Sequence, residues 1–395
     1  MSAPSSLRRL SGALPICASL VTGIAAKANA RFDGAWDLAK PLFLLALLFA
    51  SEPALAQRPM AQSPQMIPTN RPGVWSYPVP PRGFDPTTAS ASDLKTYGFP
   101  PRPTDAAALN AWEMMVSHAG QRIVPEFGTS SVKHGPMQES AEDFDGNLVS
   151  GNWSGVALVP PSTNIFNAVS GIWNIPSVTL PAGLQCSSAI PGYYSSTWVG
   201  IDGFNDNVAI QAGTSQNVTC AGTQADLQYF TWWEWFPDFE IPITNFAVNP
   251  GDSMMSEVGT LPVSQASPNG AANFFLLDFT TGVSTAFMVA NPNSSAADDA
   301  QGKSAEWIHE ATTVNGSVTT LPQFGTVYFA KIVAGTVLGN IEYPGVPGNA
   351  LVNYITLQQG GAQTATPLAV SPASQWITYE FVNRELACGL LKAPC

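Results

Sequence analysis

WSGVALVPPSTNIFNAVSGIWNI, residues 153–175, holds two short apolar runs, WSGVALV (153–159) and AVSGIWNI (168–175), parted by Pro, Ser, Thr and Asn. Runs of this length, rich in Val, Ile and aromatics and bounded by turn residues, are strand signals. The same pattern recurs at STWVGI (196–201), ANFFLLDF (272–279), TVYFAKIVA (326–334) and WITYEFV (376–382). No long amphipathic helix intervenes, and no fixed period marks a propeller or solenoid. The reading is all-β. So many short strands pack most naturally as an antiparallel sandwich of two sheets. Residues 145–395 are assigned to that domain.

Upstream, the composition changes. PLFLLALLFA (41–50) follows Lys40 and precedes the small-residue triplet at 54–56. That order is n-region, h-region and cleavage site, and the run is too short to span a bilayer. Residues 1–56 are therefore expected to be a leader cleaved after Ala56, and the mature protein to be secreted, extracellular or periplasmic, with no membrane segment. From Gln57 to Thr104 there are eleven prolines and little periodic pattern, which reads as an extended segment. Residues 104–118 then read as a short helix capped by Thr104 or Asp105, with Leu109, Trp112 and Met115 on one face. Seven Lys/Arg face five Asp/Glu between residues 57 and 135, against four and seventeen from Asp145 onward. Residues 57–144 thus look like a propeptide docked by charge on an acidic domain, and a flexible linker is the blander alternative.

The 395-residue chain carries a net charge of −12. Phosphate binding needs Lys and Arg, so nucleic acid is excluded as a partner. Only 3 His are present, which removes most mechanisms built on an imidazole base or a polyhistidine metal site. Once Cys17 leaves with the leader, Cys186, Cys220, Cys388 and Cys395 remain. In an oxidising compartment four cysteines suggest two disulfides with three possible pairings, of which Cys186–Cys220 with Cys388–Cys395 is favoured. No CxxC or Cys/His cluster supports a thiolate metal site. GxSxG, DTG, DSG and EF-hand patterns are all absent, so carboxylates and amides in aromatic strands are left as the chemistry.

Three stretches carry it. In TWVGIDGFNDNVAIQAG (197–213), alternation puts Val208 and Ile210 on one face and Ala209 and Gln211 on the other. In YFTWWEWFPD (229–238), Phe230, Trp232, Glu234 and Phe236 share a face. In AEWIHE (305–310), Glu306, Ile308 and Glu310 share one face and Trp307 and His309 the other. Two carboxylates on one strand face are costly to bury unless paired, solvated or used. His309 points away from Glu310 and reads as a surface or satisfied histidine.

GNWSG (151–155), TWVGIDG (197–203), AIQAG (209–213), TWWEWFPD (231–238), GDSM (251–254) and AEWIHE (305–310) occur together in an order that resembles the glutamic peptidases, the eqolisin family of acid proteases. The resemblance implies a sandwich of two large antiparallel sheets of the concanavalin A-like, jelly-roll type, a catalytic dyad of Gln211 and Glu310, and supporting or substrate-binding roles for Trp153, Trp198, Asp202 and Glu234. It implies an endopeptidase acting on polypeptides in acid and using no metal or organic cofactor. A monomer is the default state, and the chain's own propeptide is expected as a partner besides polypeptide substrates. The chain departs from the family pattern in the FNDN run after Gly203, at Ile210 and at His309. A secreted carbohydrate-binding module or glycoside hydrolase using Glu234, Glu310 and exposed aromatics is the alternative.

Overall fold

In the computed structural model, residues 65–382 are described apart from 143–145, 147, 162–163, 188–191, 262–269, 294–297, 345–347, 349, 361 and 371–378. The leader 1–56 and the Cys388–Cys395 pair lie outside the described residues. Two antiparallel sheets form the body. In the first, Thr326–Thr336, Phe166–Asn174, Ser253–Leu261, Ala271–Asp278 and Val283–Ala290 lie in that spatial order. In the second the order is Gln224–Phe236, Ala209–Ala221, Tyr193–Ile201, Ala305–Glu310, Trp153–Val159 and Leu351–Gln359. This is the expected sandwich, and the run read at 153–159 coincides with its strand.

Alternation along each strand builds a different layer on each face. Val199, Ile210, Trp233, Trp235 and Trp307 of the second sheet meet Trp173, Phe274 and Phe287 of the first in the central core. Indole N–H groups cross the gap, from Trp307 to the Ser170 carbonyl at 2.8 Å and from Trp173 to Thr214 Oγ1 at 3.0 Å. Buried aromatic rings of this kind contribute about 2–3 kcal/mol each by transfer from water. The opposite face of the second sheet carries Trp153, Trp198, Trp232 and Ile308. Cys186 and Cys220 are bridged as expected, 34 residues apart in sequence.

The segment before the sandwich is more structured than its proline content suggests. Val74–Ser76 adds an antiparallel strand to the edge strand Val283–Ala290, and Gln121–Ile123 adds a parallel one. Between them lie the helices Ala91–Thr96 and Ala106–Ser117, the second capped by the Asp105 carboxylate on the N–H groups of Ala107 and Ala108. Leu94, Phe99, Trp112 and Met115 pack on Met255, Phe275 and Leu277, the outer face of the first sheet. An apolar sheet face needs a cover, and these helices supply it. Among the described residues no helix is long and apolar enough to cross a membrane.

Candidate active site

The outer face of the second sheet holds every carboxylate and amide singled out by alternation. Gln211 stands beside Gly200 on one neighbouring strand and Glu234 on the other. Glu310 closes its strand opposite Ser196 and Trp153. Both side chains are fully buried. Gly213, on the row between them, faces Trp198. A Cβ there would collide with the Thr197 carbonyl and come within 2.5 Å of Trp198 Cβ. Glycine at this point lets the Trp198 ring lie across the sheet, where its Nε1 donates to Glu310 Oε2 at 2.8 Å. Trp153 packs edge-on against Trp198.

His134 fills the space above these groups. Gln211 Nε2 donates to the His134 carbonyl at 2.6 Å, and the His134 N–H donates to the Glu234 carboxylate at 2.9 Å. The imidazole lies flat on Trp232, with ring centroids 3.6 Å apart and planes 5° from parallel. Its Nδ1 is 3.1 Å from Glu310 Oε2 and its Nε2 is 2.8 Å from Glu240 Oε2. Each ring nitrogen faces a carboxylate oxygen, so the ring carries both protons as an imidazolium. Burial opposes that charge, but the hydrogen bonds to Glu240 and Glu310 outweigh it and raise the pKa of His134 to about 10. Burial pushes Glu310 up, while His134 and Trp198 pull it back. Glu234 is pushed well above the ordinary carboxyl range by burial, and Glu240 and Glu310 add to that.

The chain on both sides of His134 is held. Before it, Val132–Lys133 pairs with Thr313–Val314, Ser130 Oγ donates to Glu240 Oε1, and the Glu240 N–H donates to the Val132 carbonyl. After it, the Gly135 carbonyl accepts from Trp153 Nε1 at 3.0 Å, the Pro136 carbonyl from Asn152 Nδ2 at 3.1 Å, and the Met137 N–H donates to the Gly203 carbonyl. Residues 130–137 therefore cross the site as an extended strap. Among the described residues no cluster of His, Cys, Asp and Glu is arranged to hold a metal ion.

Residues 151–379 match the model of the Peptidase A4 family. The chain belongs to that family. It is a peptide hydrolase, and the carbohydrate alternative gives way. Aspergillopepsin-2 of Aspergillus niger is 28% identical over 247 residues, covering 58% of this chain and 78% of that protein. Among solved structures, scytalido-glutamic peptidase with a transition state analog inhibitor aligns at 20% identity and a TM-score of 0.43, covering 58% of this chain and 97% of that one. Aspergilloglutamic peptidase from Aspergillus niger aligns at 24% identity and 0.37, covering 48% and 99%.

Within this Peptidase A4 chain, Gln211, Glu234, Glu310, Trp153 and Trp198 come together around the strap. Asp202 does not join them. It sits in the left-handed region at φ 68°, where its carboxylate accepts from the N–H groups of Gln301, Gly302 and Lys303. Burial, with Asp206 nearby, raises its pKa to about 6. His309 is not a surface residue. It lies fully buried on the opposite face from Glu310, bonded to Thr197 Oγ1 and packed on Phe324. Burial lowers its pKa to about 3, so it adds no titration near neutrality. Three participants escaped the sequence reading: His134, Glu240 and Asn152. The acidic run FPDFE (236–240), directly after the Glu234 strand, was a usable signal for Glu240. Asn152 lay inside the GNWSG motif itself.

The docking charge is also different from expectation. Among the described residues, the segment's ion pairs with domain carboxylates are those of His134 with Glu240 and Glu310, and Asp238 acts on Arg71 at longer range. Arg102 donates to the carbonyls of Pro86, Thr87 and Ala89, Lys133 Nζ to that of Pro237, and Arg122 lies over Phe99 and Phe275.

Proposed function

We propose that this chain is a secreted acid endopeptidase made as a zymogen, in which Gln211 and Glu310 hydrolyse peptide bonds and residues 57–144 inhibit them. The observation that carries the reading is the contact of one residue with both side chains. Gln211 Nε2 donates to the His134 carbonyl, and Glu310 Oε2 meets its ring. A peptide carbonyl polarised by the Gln211 amide is the first requirement of acyl transfer. In the reaction Glu310 takes a proton from an attacking water, the Gln211 N–H stabilises the oxyanion, and Glu310 returns the proton to the leaving amine. A neutral amide donates without titrating, so it works in acid, where an imidazole or amine would not supply a base. The leader-like run at 41–50 supports export, and the strap supports inhibition by the segment that carries it.

The test is digestion of an unfolded protein after acid treatment, across acid to neutral pH, by wild type, Gln211→Ala and Glu310→Gln. Cleavage confined to acid is expected. Loss of the Gln211 donor should lower kcat by about 100–1000-fold, the range for an oxyanion donor, and Glu310→Gln should abolish turnover. Near-normal turnover in Glu310→Gln would refute the assignment.

A further inference from the structure

The strap does more than block the cleft: it lies in the site as a substrate would. We infer that the His134–Gly135 peptide bond is a self-processing site, cut by the chain's own Gln211 and Glu310 when the pH falls. The inference rests on the dyad reading and goes beyond it to a named bond. The His134 carbonyl is the group that Gln211 Nε2 polarises, at 2.6 Å. The chain is fixed on its N-terminal side through Ser130 and Val132, and on its C-terminal side through the carbonyls of Gly135 and Pro136. The bond between the two anchored halves is presented to the dyad.

What keeps it intact is the side chain of the same residue. The imidazolium occupies the position beside Glu310 Oε2 that an attacking water needs, and it is clamped there by Glu240 Oε2 and the Trp232 face. The carboxyl groups facing it are Glu234 and Glu240, from the end of the Gln224–Phe236 strand and the turn after it, and Glu310 from the Ala305–Glu310 strand. Lys133, next in sequence, is turned away to the Pro237 carbonyl. As the pH falls toward the carboxyl range, protons shared among the carboxyl groups around the ring weaken the clamp while the imidazolium stays charged, and the fraction of chains in which Glu310 is still ionised keeps the base. With the ring displaced, water adds to the His134 carbonyl carbon and its proton passes to Glu310. The C–N bond then breaks and Glu310 protonates the Gly135 nitrogen. The products are a carboxyl terminus at His134 and an amino terminus at Gly135, ten residues before the composition boundary at Asp145.

The full-length chain is moved from about pH 7 to about pH 3.5, below the ordinary glutamate pKa, and its fragments are identified by intact mass and terminal sequencing under denaturing conditions. Denaturation is needed because the strands Val74–Ser76 and Gln121–Ile123 and the two helices hold the N-terminal piece on the body. A new amino terminus at Gly135 is expected, absent from Gln211→Ala and Glu310→Gln. In His134→Ala, the pH of half-processing should rise by about one unit or more, the size of a lost charge partner. Processing that needs Gln211 but maps to another bond overturns the inference and leaves the dyad standing. So does a chain that digests an added unfolded protein yet keeps residues 134–135 joined, or a His134→Ala chain processed at unchanged pH. If Gln211→Ala and Glu310→Gln digest the added protein as well as wild type does, the dyad reading falls first and this one with it.

Discussion

Trp198→Phe isolates how Glu310 is tuned. Trp198 Nε1 donates to Glu310 Oε2 at 2.8 Å inside a fully buried pocket, and it is a donor that belongs to the sheet rather than to the strap. Donation stabilises the ionised carboxylate, so its removal raises the Glu310 pKa beyond what burial already does. A hydrogen bond to a charged group contributes about 1.5–3 kcal/mol, and at about 1.4 kcal/mol per pKa unit the shift is about 1–2 units upward. In the proposed mechanism Glu310 is the general base and must be ionised, so the acid limb of kcat/KM is expected to move up by that amount. At a pH well below the limb, activity falls about 10–100-fold, while the plateau is retained. The assay is kcat/KM against pH for the processed enzyme on a short peptide, with a thermal melt alongside to register the smaller ring packed on Trp153. An acid limb that stays put, in a variant that melts normally, would mean that Glu310 is not the group whose titration limits the rate.

Two further outcomes follow from the packing and the buried charges. Gly213→Ala drives a Cβ into the Thr197 carbonyl and Trp198 backbone, so a loss of about 1–3 kcal/mol or more is expected by denaturant melting. Gly259→Ala, whose Cβ would meet nothing nearer than the Asn167 carbonyl at 3.7 Å, should cost far less, and equal losses would contradict the steric argument. The uncut Gln211→Ala chain should be more stable in mild acid than above neutrality. Burial raises Glu257 to about 8, Asp202 to about 6, and Glu234 and Glu306 well above the carboxyl range. His134 is raised to about 10, with its carboxylate partners outweighing burial. Each raised group binds more protons folded than unfolded, so stability falls as pH rises between its unfolded and folded pKa, while His309, lowered to about 3 by burial, opposes this only below its unfolded value. The Tm at about pH 5 should exceed that at about pH 8 by at least about 5 °C, and a higher Tm at the alkaline end would reverse the sign.

Where a local pattern decided the structure, the sequence was readable. Val208 and Ile210 do enter the central core while Gln211 takes the other face, because strand alternation has a fixed period of two. The strand that carries Gln211 continues to Ala221, well beyond its apolar start. Polar residues such as Thr214, Ser215 and Gln216 are buried there by hydrogen bonds that composition does not reveal. Charge balance pointed to a docked segment, but not to the atom that docks. His134 lies 100 to 176 residues from the carboxylates it meets, and no local periodicity encodes such a contact. The proline-rich stretch misled for a related reason: proline disfavours isolated helices and strands, yet an existing sheet edge can recruit three residues such as Val74–Ser76 into pairing.

The register of the second sheet explains why a peptide, rather than a direct bond, connects the side chains of Gln211 and Glu310, the proposed dyad. Gln211 pairs with Gly200, while Glu310 pairs with Ser196 on the same strand. Four residues of extended chain separate those rows by roughly 13 Å of backbone at about 3.3 Å per residue. Each side chain reaches the strap from its own row, with the Trp198–Gly213 row between them, and a bridging group completes the link. In this structure it is His134, with its carbonyl at the Gln211 end and its ring at the Glu310 end. In turnover the bridge would be a substrate carbonyl with its attacking water, which has the same need for a donor at one end and an acceptor at the other. A one-residue slip of the Ala305–Glu310 strand would turn Glu310 into the core and His309 outward. The sheet register is therefore as much a part of the proposed dyad as the two side chains it carries.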